Sequence, residues 1–422
     1  MGSLRSRISS WFVRRYLARL RGKGTGALAL LPDAALMPLR RTGLDPVPEL
    51  GLKRQQEPVA KLPVPFGLNV WLVTGYREAK AVLGDAGTFS NDFKHLVGNA
   101  GVQAEDNPGG LGFTDPPDHT RLRRMLTPEF TMRRLERLRP EIQAIVGERL
   151  GSMEAADGPV DLVREFAMPI PSLVICELLG VPHVDRAEFQ QLSVARFDLF
   201  DGVAASLGAM SQSLEYLHRV VKEQRESPGE GLLGALIKEH GEDVTDRELA
   251  ELADGVLTGG FETTASMLSL GALVMLQNPD HLAMVRDDGA AVAGFVEELL
   301  RHLTVVQVAF PRFAREDVEI GGVKISRGDV VVCSLAGANR DDELGPDLER
   351  LDPTRPATSH LAFGYGIHRC VGAELGRLEL REAYPALVRR FPDMRLAIAP
   401  EELAFRKASI VYGLESLPVH LK

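Results

Sequence analysis

The chain has 422 residues, of which 45% are apolar and 25% charged, which is enough apolar sequence for a large buried core. Its net charge of −9 argues against nucleic acid as a partner, because nucleic-acid-binding domains carry a basic surface. The three cysteines, Cys176, Cys333 and Cys370, fit a reducing compartment and are too few for a four-thiolate zinc site.

Residues 1–45 are predicted to form a basic N-terminal arm, whose role the sequence leaves open. The first part of the arm, MGSLRSRISSWFVRRYLARLRGKG, contains Arg and Lys but no acidic residue. Its apolar side chains, such as Trp11 and Phe12, can line one side of a helix. A helix packed against the protein body is the favoured interpretation, and a transit peptide or a helix lying on a membrane is the alternative. The sequence contains no uncharged apolar stretch of about 20 residues, so no membrane-spanning helix is predicted.

Residues 46–422 are predicted to form one domain that is mainly α with small antiparallel β-sheets at its edge, an α+β fold. Strand-like pieces such as 70–76 come early, and the pattern is helical from about residue 116 to about residue 303. Residues 317–325 predict two strands joined by Gly321-Gly322, and residues 328–337 are expected to continue that sheet. The β content is too small for a doubly wound sheet.

One predicted helix is unusually long. It begins at a capping box, Thr245-Asp246-Arg247-Glu248, and no proline follows until Pro279. A helix of about 32 residues would be roughly 48 Å long. Gly259 and Gly260 lie in its middle, where each glycine destabilises a helix by about 1 kcal/mol relative to alanine. This cost predicts that something flat approaches the backbone there. The Thr263 hydroxyl is expected to bond the carbonyl of Gly259. Tolerated helix imperfection is the alternative.

Cys370 lies in a glycine-rich turn, FGYGIHRCVGAEL, and several roles are open for it. It can be a nucleophile with His368 or His360 as its base. A phosphate loop would need a Gly-Lys-Ser/Thr sequence, which does not follow. It can also be a thiolate ligand to haem iron, since the glycines let the backbone fold tightly and a helix N-terminus keeps the sulfur anionic. A buried inert cysteine is the remaining alternative.

The spacing Phe363-Gly-x-Gly-x-His368-x-Cys370-x-Gly372 resembles the cysteine-loop signature of the cytochrome P-450 superfamily, the haem-thiolate monooxygenases, in its soluble bacterial type. Residues 115–124 and 310–325 are also similar to family segments, and the resemblance extends from about residue 65 to the end. It implies the cytochrome P-450 fold, with the long helix crossing the haem. It also implies a haem b cofactor (iron protoporphyrin IX) whose axial ligand is Cys370.

The resemblance also implies a structural ion-pair network. Glu298 and Arg301 lie three apart on one helix face, and taken alone they would be an ordinary surface pair. In the family such a pair joins a third residue, which here is Arg355. The network is expected to hold the segment that carries the cysteine loop.

The two propionates of a buried haem need hydrogen-bond donors. The resemblance implies that these donors are His119, Arg123, Arg312, His360 and His368. It places three further residues against the haem, namely Phe363, Gly259 and Gly260.

The same resemblance gives the long helix its role, because Gly259 and Gly260 would line the side on which O₂ binds, opposite Cys370. Glu262 and Thr263 match the acid–alcohol pair of the family. Reducing O₂ requires two protons in a largely dry pocket, and a hydroxyl together with a carboxylate can supply them.

The implied reaction inserts one atom of O₂ into a C–H or C=C bond. Segments expected to line the pocket supply apolar residues such as Phe197 and Phe200, with Gln307 as one polar contact. The substrate is therefore expected to be a medium-to-large apolar molecule of terpenoid, steroid, polyketide or fatty acyl type, in secondary metabolism. A peroxide-dependent or isomerising haem-thiolate enzyme and a non-catalytic haem-binding module are the alternatives.

No flavin or iron–sulfur segment is recognised, so electrons are expected from another protein in the cytoplasm. An acidic ferredoxin would be attracted to a basic patch on the cysteine side of the haem. The residues expected to form this patch are Arg121, Arg124, Arg369 and Arg377.

Overall fold

A computed structural model describes residues 32–64, 69–92, 111–182 and 203–422 of the chain, without the side chains of residues 203–211. Most of the basic arm, most of the glycine-bearing loop after residue 92, and both Phe197 and Phe200 lie outside the described residues. What the sequence predicts for those segments stays a prediction.

Helices make up most of the described chain. In order they are α1 (Pro48–Gln56), α2 (Tyr76–Gly84), α3 (Asp118–Leu126), α4 (Met132–Leu135), α5 (Arg139–Glu154), α6 (Pro169–Leu179), α7 (Val203–Glu226), α8 (Leu232–His240), α9 (Asp246–Gln277), α10 (Pro279–Asp287), α11 (Val292–Leu303), α12 (Leu335–Ala338) and α13 (Ala373–Arg390).

The strands are short. They are β1 (Val59–Leu62), β2 (Val70–Val73), β3 (Phe89–Ser90), β4 (Val160–Asp161), β5 (Arg312–Ala314), β6 (Val318–Ile320), β7 (Val323–Ile325), β8 (Val330–Cys333), β9 (Arg395–Leu396) and β10 (Pro418–His420). They form a sheet in the order β1-β2-β8-β5-β3, a sheet in the order β4-β10-β9, and the hairpin β6-β7.

The mainly α fold with small sheets is confirmed, with one correction to the sheets. The β6-β7 hairpin turns at Gly321 and Gly322, which both have positive φ, as predicted. Strand β8 does not continue that hairpin. It pairs antiparallel with β5 and parallel with β2, so the largest sheet is mixed rather than antiparallel.

Helix α9 has the predicted bounds. The Thr245 side chain accepts from the Glu248 amide and the Glu248 side chain from the Thr245 amide, so the capping box is formed. The helix runs for 32 residues. Among the helices in the described part of the chain, only α9 is long and apolar enough to cross a membrane, but 72% of its apolar window is buried, as expected for a core helix.

Close helix packing fixes α9 against its neighbours. A Cβ added at Gly271 would lie 2.0 Å from the Tyr384 hydroxyl of α13, and that hydroxyl donates to the carbonyl of Met267. Helix α13 contains Pro385 and continues past it to Arg390. Because α13 begins just after Cys370, its contact with α9 sets the distance between the cysteine loop and the long helix.

The predicted boundary at residues 45 and 46 falls inside a segment that packs on the body. Met37 and Leu39 are buried, and Arg41 is only 3% exposed. The Arg41 guanidinium donates to the carbonyls of Leu303 and Leu44 and lies 4.6 Å from the centre of the Tyr412 ring. Residues from about 35 onward therefore belong to the folded body.

Candidate active site

The loop that carries Cys370 is a tight turn closed by backbone hydrogen bonds. The Cys370 amide donates to the Phe363 carbonyl at 2.8 Å, and the Arg369 amide donates to the Gly366 carbonyl at 3.1 Å. Gly364 and Gly366 have φ values of 69° and 73°, the left-handed region that favours glycine. The turn delivers Cys370 to the N-terminus of α13, whose positive end favours an anion.

Gly366 also has no room for a side chain. A Cβ there would lie 2.3 Å from the carbonyl oxygen of Leu83, near the end of α2. At Gly364 an added Cβ would meet nothing within 4 Å. The two glycines share one backbone conformation, but only Gly366 fixes the loop against α2.

Gly366→Ala is therefore expected to disturb the cysteine loop more than Gly364→Ala does. Alanine at position 364 meets only left-handed strain of about 1–2 kcal/mol, whereas at position 366 the Leu83 carbonyl must also move. The measurements are the free energy of unfolding and the fraction of the ferrous carbon monoxide complex that shows thiolate ligation. Equal effects of the two substitutions would contradict this account.

Cys370 is held between influences that raise and lower its pKa. Burial is the larger influence and raises the pKa of the Cys370 thiol, although the Gly372 amide and the guanidinium groups of Arg123 and Arg369 act in the opposite direction. The residue nevertheless keeps accessible surface, because it lines a cavity. Cys176 and Cys333 are buried, and burial raises the pKa of Cys333 to about 12. Of the three cysteines, Cys370 is thus the one placed to act as a thiolate ligand.

The cavity beside Cys370 has a volume of about 190 Å³. His119 and Arg123 of α3 line it together with His368, and α9 contributes Leu252, Gly255 and Val256 on the other side. The sulfur and the long helix therefore face each other across one space. Its walls are apolar where α9 forms them and basic where α3 does.

The polar groups around this cavity fit a haem. The His119 and His368 rings lie 4.2 Å apart, and among the described residues no hydrogen-bond partner is found for either His119 nitrogen or for Nε2 of His368. Burial lowers the pKa of His368 to about 3, and nearby His119 and Arg312 act in the same direction. Buried donors with positive neighbours suit two carboxylates, which a haem supplies as its propionates. The residues that fit are His119, Arg123 and His368, which line the cavity, together with Arg312, which is close enough to His368 to influence its charge.

His360 does not fit as a propionate donor, and that expectation is corrected. Its Nε2 lies 3.0 Å from a Glu297 oxygen, and its Nδ1 accepts from the Ala362 amide. Arg377 donates to both oxygens of Glu297 at 2.6 and 2.8 Å and lies 4.6 Å from the centre of the Phe363 ring. Burial alone would raise the pKa of Glu297, but Arg377 and His360 outweigh it and hold the pKa far below its usual value.

The expected ion-pair network is present. Arg301 makes two hydrogen bonds of 2.7 Å to the two oxygens of Glu298, and Arg355 lies 3.4 Å from the same carboxylate. Arg301 also donates to carbonyls of the segment that leads to the cysteine loop, namely those of Asn339, Leu348 and Arg350. The geometry suits the structural role that the resemblance implies.

The two glycines of α9 face different ways. An added Cβ would meet nothing within 4 Å at Gly255 or Gly259, whereas at Gly260 it would lie 3.1 Å from Ile175 of α6. Gly255 lines the cavity, and Gly259 and Thr263 follow it at intervals of four along the same side of the helix. Gly260 instead lies against α6. The spacing could have identified Gly255, which sequence reasoning missed.

Thr263 and Glu262 continue this part of the helix. The Thr263 hydroxyl donates to the Gly259 carbonyl at 2.7 Å, which confirms the predicted hydrogen bond. Glu262 is paired with Arg406, whose Nη1 lies 2.5 Å from the carboxylate. Burial raises the pKa of Glu262, and the charge of Arg406 opposes this. Arg406 was not predicted, because no local pattern connects residues so far apart in sequence.

The cavity has one thiolate candidate, Cys370, with a glycine of α9 and basic donors of α3 around it. This arrangement defines a haem-thiolate protein. A family model described as Cytochrome P-450 matches residues 208–394. Cytochrome P-450-SU2 of Streptomyces griseolus is 42% identical over 396 residues, covering 92% of this chain and 97% of that protein. Cytochrome P-450 monooxygenase PikC of Streptomyces venezuelae is 42% identical over 380 residues, covering 89% and 91%.

A solved structure agrees with these relatives. The structure of OxyE, a cytochrome P-450 involved in teicoplanin biosynthesis, superposes with a TM-score of 0.83 at 38% identity, covering 92% of this chain and 100% of that chain. The chain belongs to the cytochrome P-450 family. It is a monooxygenase, and the cofactor of the family is haem with a cysteine thiolate as axial ligand.

Proposed function

We propose that this monooxygenase transfers one atom of O₂ to a C–H or C=C bond of a medium-to-large apolar secondary metabolite, with Cys370 as the axial ligand. The bound haem supplies the iron chemistry that activates O₂. The reaction consumes two electrons and two protons, leaves one oxygen atom in the product and releases the other as water. The observation that carries this proposal is the cavity that Cys370 shares with Gly255 of α9, the helix that also carries Thr263 about two turns further on.

Thr263 and Glu262 deliver the protons in this proposal. The hydrogen bond from the Thr263 hydroxyl to the Gly259 carbonyl fixes the orientation of the hydroxyl, whose oxygen can still accept a hydrogen bond. Glu262 is only 15% exposed but carries an ionisable group within one residue of that hydroxyl. A carboxyl that takes a proton from solvent and passes it toward Thr263 matches what the reaction consumes.

Thr263→Ala is expected to uncouple the enzyme, so that NAD(P)H oxidation continues while hydrogen peroxide replaces product. Glu262→Gln removes the ionisable group and is expected to slow product formation by about 100-fold. The measurements are product and peroxide per NAD(P)H oxidised.

Thr258→Ala is the matched control for Thr263→Ala. Thr258 makes the same kind of bond, from its hydroxyl to the Asp254 carbonyl at 2.8 Å, but it lies on a different face of α9. The Thr258→Ala variant should leave the coupling of NAD(P)H oxidation to product formation intact. If Thr263→Ala still formed one product per NAD(P)H oxidised, the proposal would be contradicted. It would also be contradicted if the wild-type enzyme formed product from hydrogen peroxide alone as fast as it does with redox partners.

Large exposed apolar side chains support an apolar substrate. Phe310 lines the cavity and is 51% exposed, and Ile410 is 45% exposed. The expected polar contact between Gln307 and the substrate is not supported. Gln307 is 1% exposed, and its side chain donates to the Ser409 carbonyl at 2.7 Å. The test is a spectral titration of the haem-bound enzyme with terpenoids, steroids and macrolides, in which a binder is expected to shift the spin state from low to high.

For the electron donor we propose an acidic ferredoxin that docks on the cysteine side of the haem, in the cytoplasm. Arg124 and Arg369 are both exposed, and so is Ile367, two residues before Arg369. Two of the four expected docking arginines are not free. Arg377 is 9% exposed and held by Glu297 and Glu374, and Arg121 pairs with Glu248. The patch is therefore smaller than the sequence indicates, and the salt dependence of electron transfer measures its attraction.

A further inference from the structure

The carboxylate of Glu297 lies at the centre of a partly buried polar cluster beside the cysteine loop. Its two oxygens accept from Nε and Nη2 of Arg377 at 2.8 and 2.6 Å, and one of them also lies 3.0 Å from Nε2 of His360. Because Nδ1 of His360 accepts from the Ala362 amide, the ring proton lies on Nε2 and is donated to Glu297. A planar guanidinium and a ring N–H therefore fix the carboxylate in one orientation.

Arg377 connects this cluster to the cysteine loop. Its guanidinium lies 4.6 Å from the centre of the Phe363 ring, and the Phe363 carbonyl accepts from the Cys370 amide at 2.8 Å. Burial raises the pKa of the Cys370 thiol, and Arg377 is one of the charged groups that oppose this. The positive charge of Arg377 thus acts on the sulfur, and a group that neutralises Arg377 changes what the sulfur experiences.

Two carboxylates neutralise Arg377, and Glu297 is the stronger partner. Glu374 accepts one hydrogen bond from Arg377 at 2.9 Å and its side chain is 35% exposed, whereas Glu297 accepts two and is 24% exposed. Water therefore screens Glu374 more than it screens Glu297. The Arg377 side chain is only 10% exposed, so without Glu297 its charge would act on the sulfur with little screening.

The other two guanidinium groups that act on Cys370 have different surroundings. Arg369 is exposed, so water screens its charge. Arg123 lines the cavity, where it fits a haem propionate. Arg377 is instead paired with carboxylates of the protein itself, so its effect on the sulfur is decided by the residues at positions 297 and 374.

We infer that Glu297 keeps the Cys370 thiolate electron-rich by neutralising Arg377, and that it thereby holds the reduction potential of the haem iron low. An unbalanced positive charge beside the sulfur would draw electron density from the iron and favour the ferrous state over the ferric state. Glu297 thus limits which donors can reduce the enzyme, since a donor needs a potential low enough to transfer its electron. It is a positioning residue, and the inference rests on the proposed assignment of Cys370 as axial ligand.

Glu297→Gln is expected to raise the reduction potential of the haem-bound enzyme. Glutamine has nearly the same size and can still accept from Arg377, but it leaves the guanidinium charge without its main counter-charge. We expect the ratio of ferrous to ferric enzyme at a fixed potential to rise about tenfold, which is a shift of about 59 mV for a one-electron couple. The measurements are a spectroelectrochemical titration and the C–O stretching frequency of the ferrous carbon monoxide complex, which rises when the thiolate donates less.

Two control variants separate charge from packing and from position. Glu297→Asp keeps the charge and should stay close to the wild-type potential. Glu382→Gln removes a carboxylate of α13 that is 14% exposed and paired with Arg139 of α5. Glu382 lies five residues beyond Arg377, roughly 8 Å further from the cysteine loop along the helix. Its substitution should leave both the potential and the C–O frequency at their wild-type values.

The inference is overturned if Glu297→Gln binds haem and keeps the wild-type potential. It is also overturned if Glu297→Asp and Glu297→Gln shift the potential equally, because packing rather than charge would then be responsible. If Glu297→Gln does not retain haem, Glu374→Gln decides the question. It should raise the potential by a smaller amount than expected for Glu297→Gln, and an unchanged potential would then count against the inference.

Failure of the proposed ligand assignment looks different. If the thiolate band of the carbon monoxide complex survived Cys370→Ser, the sulfur on the iron would not be that of Cys370. If only the inference failed, that band would still depend on Cys370, and the potential alone would not respond to Glu297.

Discussion

Cys370→Ser is expected to abolish product formation and to remove the Soret band that the thiolate gives in the ferrous carbon monoxide complex. A serine hydroxyl is not an anion at neutral pH, and its oxygen lacks the electron donation by which a thiolate promotes O–O cleavage. The cavity, the histidines and the capped helices do not depend on the sulfur, so the variant should still fold. The measurements are the carbon monoxide spectrum, haem content and product formation.

Cys176→Ser is the matched control for this substitution. Cys176 is fully buried in α6, so serine there places a hydroxyl in the core and lowers stability modestly. The thiolate band should persist, because Cys370 is unchanged. A thiolate band that survived Cys370→Ser, or that disappeared in Cys176→Ser alone, would show that the axial ligand has been assigned to the wrong sulfur.

The parts of the site that the sequence predicts are those set by local chemistry. The capping box at Thr245 fixes the start of α9, and the following proline bounds its end. The bond from Thr263 to Gly259 joins residues four apart, a spacing that any helix brings together. The turn around Cys370 is likewise built from glycines whose backbone angles are local properties. Such features do not depend on how distant segments pack.

The parts that sequence reasoning missed are set by contacts between distant segments. Arg406 is 144 residues from Glu262, and Arg377 is 80 residues from Glu297. The resemblance gives the order of residues along the chain, but it does not say which way the His360 ring points. Glu297 directly precedes Glu298 on α11 but faces a different direction, so it serves a second cluster. The parallel pairing of β8 with β2 is non-local in the same way.

Arg301→Ala is expected to lower the free energy of unfolding by about 3–5 kcal/mol, because it leaves the buried Glu298 charge without its main partner. Arg301 is 0% exposed, and its guanidinium also donates to the carbonyls of Asn339, Leu348 and Arg350. Those carbonyls would lose a donor as well, at about 1–3 kcal/mol for each that stays buried. Replacing both partners with apolar residues would not restore stability, because the carbonyls would remain unpaired.

The segment that Arg301 holds leads directly to the cysteine loop, so haem retention should fall together with stability. The measurements are denaturant unfolding and the fraction of purified protein that carries haem. Arg286→Ala is the control, since the pair of Arg286 with Asp287 is exposed and water screens it, so its loss should change stability little. If Arg301→Ala does not accumulate, Arg301→Lys, which keeps the charge but cannot reach every acceptor, should show a smaller loss in the same direction. An Arg301 substitution no more harmful than Arg286→Ala would mean that the loop is positioned by other contacts.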